Sequence, residues 1–418
     1  MTKIIKVVGR QVFDSRGNPT VEAEVYLKDK SKASAIVPSG ASTGAYEAYE
    51  LRDRNKNYFL GKSVLKAVKN INTVINKNLK NIKANDQKKI DQILLNLDGT
   101  DNKKKLGANA LLAVSLAASK AAANSKKKEL YQHLGNKFLL PKPLMNIING
   151  GAHADNNLKI QEFMIRPDSA KNFMDAIEKC FLVIQNLKKI LQSKNLSTNV
   201  GDEGGFAPSI NSNEEALEIV VDAIEMSKLK PEKDINICLD VAANELMNKD
   251  GQYSLNSSRY ISVEESINYY KKLVSKYPIK SIEDPFAEND WNAWSKLTME
   301  IGKNVQIVGD DLFVTNVNRL KRGIKEKSAN SILIKVNQIG TLTETLNVID
   351  LAKKNNFSTV ISHRSGDTED TFIADLSVAT RSSQIKTGSL SRSERVAKYN
   401  RLLRIEEQLG KSVKIARI

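Results

Sequence analysis

The sequence predicts an α/β chain in which a (β/α) barrel follows a smaller α+β region. The first indication is a rhythm that begins after about residue 135. Short apolar runs each end on a polar or charged residue: 235–239 at Asp240, 279–282 at Glu283, 305–309 at Asp310, 332–334 at Lys335, 360–362 at His363-Arg364, and 384–385 at Lys386. The successive ends lie 43, 27, 25, 28 and 23 residues apart, and amphipathic stretches such as 263–277 and 342–355 fill the intervals. That is the pitch of strand–helix units in a parallel sheet. The second indication is the strict alternation of Val21-Glu22-Ala23-Glu24-Val25-Tyr26-Leu27, the period of a half-buried strand. The third is the length of 418 residues, which suits one large barrel plus an accessory piece.

Taken in order, residues 3–13, 21–27 and 33–37 form a candidate three-stranded meander. Helical spacing then takes over. Val64, Leu65, Val68, Ile71 and Ile75 fall on one predicted face, and Ile90, Ile93, Leu94 and Leu97 on another that stops before Gly99. Residues 106–123 are rich enough in alanine to be a buried helix. For the later strands the competing arrangement is a doubly wound sheet. A barrel is favoured because it gathers the C-terminal ends of all its strands on one rim, where active sites sit. Asp240, Glu283, Asp310, Lys335, His363-Arg364 and Lys386 would then point into one pocket.

The balance of 64 Lys+Arg against 48 Asp+Glu gives a net charge of +16. An apolar fraction of 41% excludes a fully disordered chain. Cys180 and Cys238 make one pair at most, which excludes a disulfide scaffold, and with only 3 His they exclude zinc sites built on repeated Cys or His. The N-terminal residues lack the apolar stretch of a secretory signal. The longest uncharged stretch, residues 106–119, falls short of the roughly 18 residues that cross a bilayer. A cytosolic protein with reduced thiols and no membrane partner is expected.

Asp240, Glu283 and Asp310 supply three carboxylates on successive strand ends. One such carboxylate is usually a helix cap or half of an ion pair, but three opposite Lys335, Arg364 and Lys386 point to a cation site. Hard oxygen ligands without His or Cys suit Mg²⁺. A lysine held beside divalent cations has its ammonium form disfavoured and can serve as a general base, which fits Lys335. In Gly201-Asp202-Glu203-Gly204-Gly205-Phe206, glycines allow a ligand to approach closely, and Glu203 is a candidate general acid. Pro38-Ser39-Gly40-Ala41-Ser42-Thr43-Gly44 reads as a small-residue lid whose hydroxyls could ligate a metal or contact phosphate. It also matches the G-x-S-x-G elbow of α/β-hydrolases, although it follows a meander and not a wound sheet. The Gly-Lys-Ser tripeptides at Gly61 and Gly410 lack the upstream glycine of a P-loop, since positions 56 and 405 are Lys and Ile.

Many separate stretches together resemble the enolase family along nearly the whole chain. They include Asp14-Ser15-Arg16-Gly17-Asn18-Pro19-Thr20, Ser39-Gly40-Ala41-Ser42-Thr43-Gly44, Asn149-Gly150-Gly151-Ala152-His153 and Gln161-Glu162-Phe163. Further on come Gly201-Asp202-Glu203-Gly204-Gly205, Ser281-Ile282-Glu283-Asp284-Pro285, Gly309-Asp310-Asp311-Leu312, Leu333-Ile334-Lys335-Val336-Asn337-Gln338-Ile339-Gly340, Ser362-His363-Arg364-Ser365-Gly366 and Gln384-Ile385-Lys386-Thr387-Gly388-Ser389. The resemblance implies an N-terminal α+β capping domain over 1–134 and a TIM-like catalytic barrel over 135–418 whose first strands are irregular and partly antiparallel.

It further implies the glycolytic interconversion of 2-phospho-D-glycerate and phosphoenolpyruvate, a hydro-lyase reaction. Lys335 would take the C2 proton and Glu203 would protonate the departing C3 hydroxyl. A lysine base working with magnesium is the known pattern of enolase-superfamily sites. One Mg²⁺ would sit on Asp240, Glu283 and Asp310, and a second would arrive with substrate and engage Ser42. Arg364 and Ser365 would hold the phosphate, Lys386 the carboxylate side, and His153, Gln161 and Glu162 would line the pocket.

The chain departs from the family pattern at Asp367, where Glu is usual, at Asn244 in place of Ser, and at Ala287, where an acidic residue is common. The stretch 135–141 is shorter than usual. A sugar-acid dehydratase or cycloisomerase of the same superfamily is disfavoured, because those lack the Ser-Gly-Ala-Ser-Thr-Gly and Ser-His-Arg-Ser segments. A basic nucleic-acid-binding role is disfavoured too, because clusters such as 103–105 and 126–128 carry no accompanying RNA-binding aromatic motif. A cytoplasmic homodimer is expected, with surface display or secretion as a secondary location that the family allows.

Overall fold

The computed structural model describes residues 2–40, 44–256 and 259–418. The chain opens with an antiparallel meander, β1 (Ile4–Phe13), β2 (Pro19–Leu27) and β3 (Lys32–Ile36), in the order β1-β2-β3. Val21, Ala23, Val25 and Leu27 are buried, as the alternation predicts, and β2 and β3 pack on the helix Ala108–Ser125. The outward Glu22 and Glu24 pair with Arg10 across the β1–β2 ladder.

The free edge of β1 is covered rather than left open. Asn72 accepts from Gly9 N at 2.8 Å and donates to Gly9 O at 3.0 Å, while Asn76 accepts from Val7 N at 2.9 Å. These asparagines lie on a helical stretch, Leu65–Leu79, that widens to a π turn over Ile71–Ile75. It packs so tightly that a Cβ on Gly9 would stand 2.9 Å from the Ile71 side chain. Val64, Ile71 and Ile75 face the core, but Leu65 is exposed. A one-face reading of ideal helical spacing thus fails at the first turn, ahead of the π turn. The helix Gln87–Asp98 ends on Gly99 with φ 69°, and Ala108–Ser125 is buried along almost its whole length.

The eight remaining strands close into a barrel, which excludes the doubly wound alternative. They are β4 (Lys142–Asn149), β5 (Glu162–Arg166), β6 (Asn236–Asp240), β7 (Ile279–Glu283), β8 (Gln306–Gly309), β9 (Ser331–Ile334), β10 (Ser358–Ser362) and β11 (Gln384–Lys386). All six runs marked by the strand-end rhythm are barrel strands. Inward-facing Leu144, Met164, Cys238, Val308, Leu333 and Val360 form their own apolar cluster, a packed interior and not a pore. β5 runs antiparallel to both β4 and β6, and the β4–β5 pairing is irregular between Asn146 and Ile148. The reversal has a consequence for chemistry. It places the first residue of β5, Glu162, opposite the last residues of its neighbours, Asn149 and Asp240. The meander upstream of Gly40 also denies the hydrolase-elbow reading its strand–turn–helix setting.

Candidate active site

Strand ends and the loops that follow them build the pocket at the C-terminal rim. It is lined by His153, Gln161, Glu162, Glu203, Asp240, Asp310, Lys335, Arg364, Ser365 and Lys386, with Asp284, Asp311 and His363 among the further wall residues. Glu283 joins them through Lys386. Ser42 lies outside the described residues.

Lys386, the last residue of β11, places Nζ 2.8 Å from Asp240 Oδ2, 2.9 Å from both Glu283 oxygens and 3.2 Å from Glu162 Oε1. Burial works against the ammonium, but these carboxylates hold Lys386 well above the usual lysine range. Burial first, and then the charge of Glu203, pushes Glu162 well up, and burial with Asp240 does the same to Glu283. One ammonium is therefore too little positive charge for this cluster. An all-oxygen set short of positive charge fits a hard divalent cation.

Asp310 pairs with Lys335 Nζ and accepts from Gln338 Nε2 at 2.8 Å. Against the cost of burial, Lys335 holds the Asp310 carboxyl below its ordinary value, and Asp310 in turn keeps Lys335 high. Behind Asp310, Asp284 accepts from the Asp310 and Asp311 backbone N–H groups, each at 2.9 Å. Asp284, Asp310 and Asp311 bring candidate ligand atoms within 4.8 Å of one another, as do His153, Glu162 and Glu203. Of the predicted trio, Asp240 and Glu283 pair with Lys386 and Asp310 with Lys335.

Glu203 is buried in the glycine-bordered loop, with Oε2 3.2 Å from Asn146 Nδ2 and 3.2 Å from His363 Nε2. Its Oε1 lies 3.7 Å from His153 Nδ1, which also stands 3.5 Å from Glu162 Oε1. Gln161 Nε2 approaches Asp240 Oδ2 at 3.4 Å. Burial, followed by the Arg395 charge, lowers His363 to about 4 against the opposing pull of Glu203. All the substrate-site and acid–base residues named from the sequence thus meet in one place.

The N-terminal region closes one side of the site. Ser39 exchanges backbone hydrogen bonds with Gly366 at 2.8 and 2.9 Å, and Ser15 N donates to Asp367 O at 2.8 Å. A Cβ on Gly366 would fall 2.7 Å from Ser39 O and 2.8 Å from Asp14 Oδ2, so only glycine permits this approach. Asp367 faces away from the pocket. It accepts from Lys398 Nζ at 3.0 Å and from Thr368 N at 2.6 Å, so its shorter side chain is anchored by buried partners. Asn244 bridges Asp311 Oδ2 and Glu288 N, each at 2.8 Å.

Sequence reasoning gave no role to Glu47, Gln338 or Arg395, although Gln338 lies in one of the segments that carry the family resemblance. Glu47 grips Arg364, Gln338 touches both Glu47 and Asp310, and Arg395 reaches His363 from the helix Ser393–Leu409. Glu47 and Arg395 sit at no strand end and in no glycine-rich loop, so no local signal marked them.

Family models match in two blocks: "Enolase, N-terminal domain" over residues 4–134 and "Enolase, C-terminal TIM barrel domain" over residues 137–417. A curated relative named Enolase, from Pelagibacter ubique (strain HTCC1062), is 64% identical over 420 residues, covering 100% of both chains. With the rim geometry and these matches together, the chain belongs to the enolase family, lyases of the phosphopyruvate hydratase type.

Proposed function

We propose that this chain carries out the reversible dehydration of 2-phospho-D-glycerate to phosphoenolpyruvate with Lys335 as base and Glu203 as acid. One observation carries the reading. Lys335 enters from the end of β9 and Glu203 from the loop that bridges to β4 through Phe206, so a base and an acid face one pocket from separate sectors of the rim.

Lys335 Nζ takes the C2 proton, and the C–H electron pair passes onto the substrate carboxylate. Glu203 protonates the C3 hydroxyl, which leaves as water with its bonding pair while the C2–C3 double bond forms. In the substrate-free pocket burial raises Glu203, but His363, His153 and Arg395 outweigh it and hold the carboxyl low. The arriving anionic substrate would raise it and supply the conditions for proton donation. Asp310 keeps Lys335 charged in the substrate-free pocket; a divalent cation held by Asp310 would compete for that carboxylate and favour the neutral base.

Asp240, Glu283 and Asp310 would hold one Mg²⁺, and a second, arriving with substrate, would engage Ser42. The ions supply positive charge where the substrate carboxylate gains its second negative charge. Arg364 and Ser365 would take the phosphate, Lys386 the carboxylate side, and His153, Gln161 and Glu162 the pocket wall. The chain divides at 134/135 into capping and catalytic domains. Among the described residues no helix is long and apolar enough to cross a membrane, and a glycolytic role would place the protein in the cytoplasm.

A homodimer through the N-terminal region accounts for an otherwise costly display. Phe59 and Leu60 both hold positive φ, at 47° and 52°, and Leu60 is 84% exposed. Phe59 stacks within 5.8 Å of Phe13 and 4.9 Å of Tyr58, all exposed. Backbone strain spent on an exposed aromatic patch is the mark of a contact surface.

The test is direct. 2-Phosphoglycerate with Mg²⁺ should generate the ultraviolet absorbance of the conjugated product, and EDTA should abolish it. Lys335→Ala should lose at least roughly 100-fold in kcat. No absorbance, or absorbance indifferent to EDTA, refutes the activity; normal turnover in Lys335→Ala refutes only the base.

A further inference from the structure

Arg395 is fully buried, and its four terminal N–H groups all find acceptors. One terminal nitrogen, Nη1, lies 2.6 Å from His363 Nδ1 and 2.6 Å from Arg364 O; the other, Nη2, lies 2.5 Å from Ser365 O and 3.1 Å from Asp202 O. One guanidinium thereby ties the His-Arg-Ser loop to the loop carrying Glu203. A guanidinium can only donate. His363 Nδ1 must therefore accept, and in a neutral ring the proton then resides on Nε2, 3.2 Å from Glu203 Oε2.

We infer that Arg395 is a positioning residue that fixes the His363 tautomer, and so decides which Glu203 oxygen carries the transferable proton. Asn146 Nδ2 donates to Glu203 Oε2 at 3.2 Å, and His363 Nε2 stands 3.2 Å from the same oxygen, though outside hydrogen-bond geometry in the substrate-free pocket; together they mark that oxygen as the acceptor. The proton is left on Oε1. When it moves to the departing hydroxyl, water leaves with the C–O pair, and the new carboxylate is already met at Oε2 by these donors. This rests on the acid role proposed for Glu203, but the ring state can be read without turnover.

The charged groups around His363 are Glu203 at the rim, Arg395 on the last long helix, and Asp367, which is itself paired with Lys398. The experiment is a long-range ¹H–¹⁵N spectrum of protein labelled with [¹⁵N]histidine. Only 3 histidines contribute, so His133→Gln and His363→Gln complete the assignment. The expected wild-type state has Nδ1 bare and Nε2 protonated. A proton on Nδ1, or an imidazolium at pH 6, overturns the inference. In folded Arg395→Gln, the proton should no longer be confined to Nε2 and the Nδ1-protonated tautomer should appear, and kcat should fall roughly 100-fold with KM moving much less. An unchanged ring state in that variant overturns the positioning role. Should the variant not fold, the wild-type ring state decides alone. An inactive wild type with the expected tautomer would overturn the dehydratase reading and not this one.

Discussion

Glu47 holds the Arg364 guanidinium with both carboxylate oxygens, at 2.9 and 3.1 Å, in a pocket where each side chain is almost fully buried. Arg364 donates to Asn337 Oδ1 as well, at 3.0 Å, and Glu47 also accepts from Gly44 N at 3.2 Å and Gln338 Nε2 at 3.3 Å. The backbone that follows the Ser-Gly-Ala-Ser-Thr-Gly segment is thus fastened to the residue expected to receive phosphate. An incoming phosphate must share the guanidinium with a fixed negative charge.

Glu47→Gln should therefore tighten inhibition by inorganic phosphate on the order of fivefold, about 1 kcal/mol, because a nearby buried like charge is removed. Steady-state inhibition constants for the two proteins check this. An unchanged constant would show that Glu47 and the anion do not compete.

Asp91 links the N-terminal helix bundle to the barrel. It accepts from Ser115 Oγ at 2.6 Å, Gln87 Nε2 at 3.0 Å, Thr343 Oγ1 at 2.6 Å and Thr343 N at 2.9 Å. The last of these caps the first turn of the helix Leu342–Lys354 from another part of the chain. Asp91→Ala strands these buried donors and should cost about 3 kcal/mol, read as a lowered midpoint in urea. Asp91→Asn should lose less, since a carbonyl oxygen remains.

On the outer face of the meander, the Arg10 hydrogen bond, helped by Tyr26 and Lys32, brings the Glu24 carboxyl from 4.5 down to about 2. The folded-state value lies below the unfolded one, so the stabilisation is complete above about pH 5 and fades as the pH falls toward 2. Solvent screening limits it to about 1 kcal/mol. Glu24→Gln should lower the melting temperature at pH 7, and the gap from wild type should close steadily below pH 4.5. A gap that widens on acidification would contradict the assignment.

For the proposed dimer, Leu60→Asp places a charge on the most exposed apolar residue, next in sequence to Phe59. Sedimentation should then show the monomer where the wild type sediments as a dimer. A wild type that is monomeric, or a variant that stays dimeric, would remove the patch from the interface.

Much of the site was legible in the sequence because parallel barrel strands are local objects. A short apolar run, its polar end and the helix after it recur along the chain, so Asp240, Glu283, Asp310, Lys335 and Lys386 could be grouped before any contact was known. Lys386 illustrates the limit. Its strand end was visible, but its place among Glu162, Asp240 and Glu283 was not. Glu162 reaches the same rim only because β5 runs backwards, and a five-residue strand carries no mark of its direction. The exposed Leu65 likewise shows that apolar spacing alone does not settle which side chains face the core.

The sequence by itself determined the barrel class and singled out Lys335, Glu203 and the strand-end carboxylates as candidates, because these depend on residue type and local period. The tertiary structure alone decided that Glu47 pairs with Arg364 and that the Arg395 guanidinium meets His363 Nδ1. Those partners lie 317 and 32 residues apart. Their attraction exists only once burial has stripped water from both, so no pattern along the chain records it.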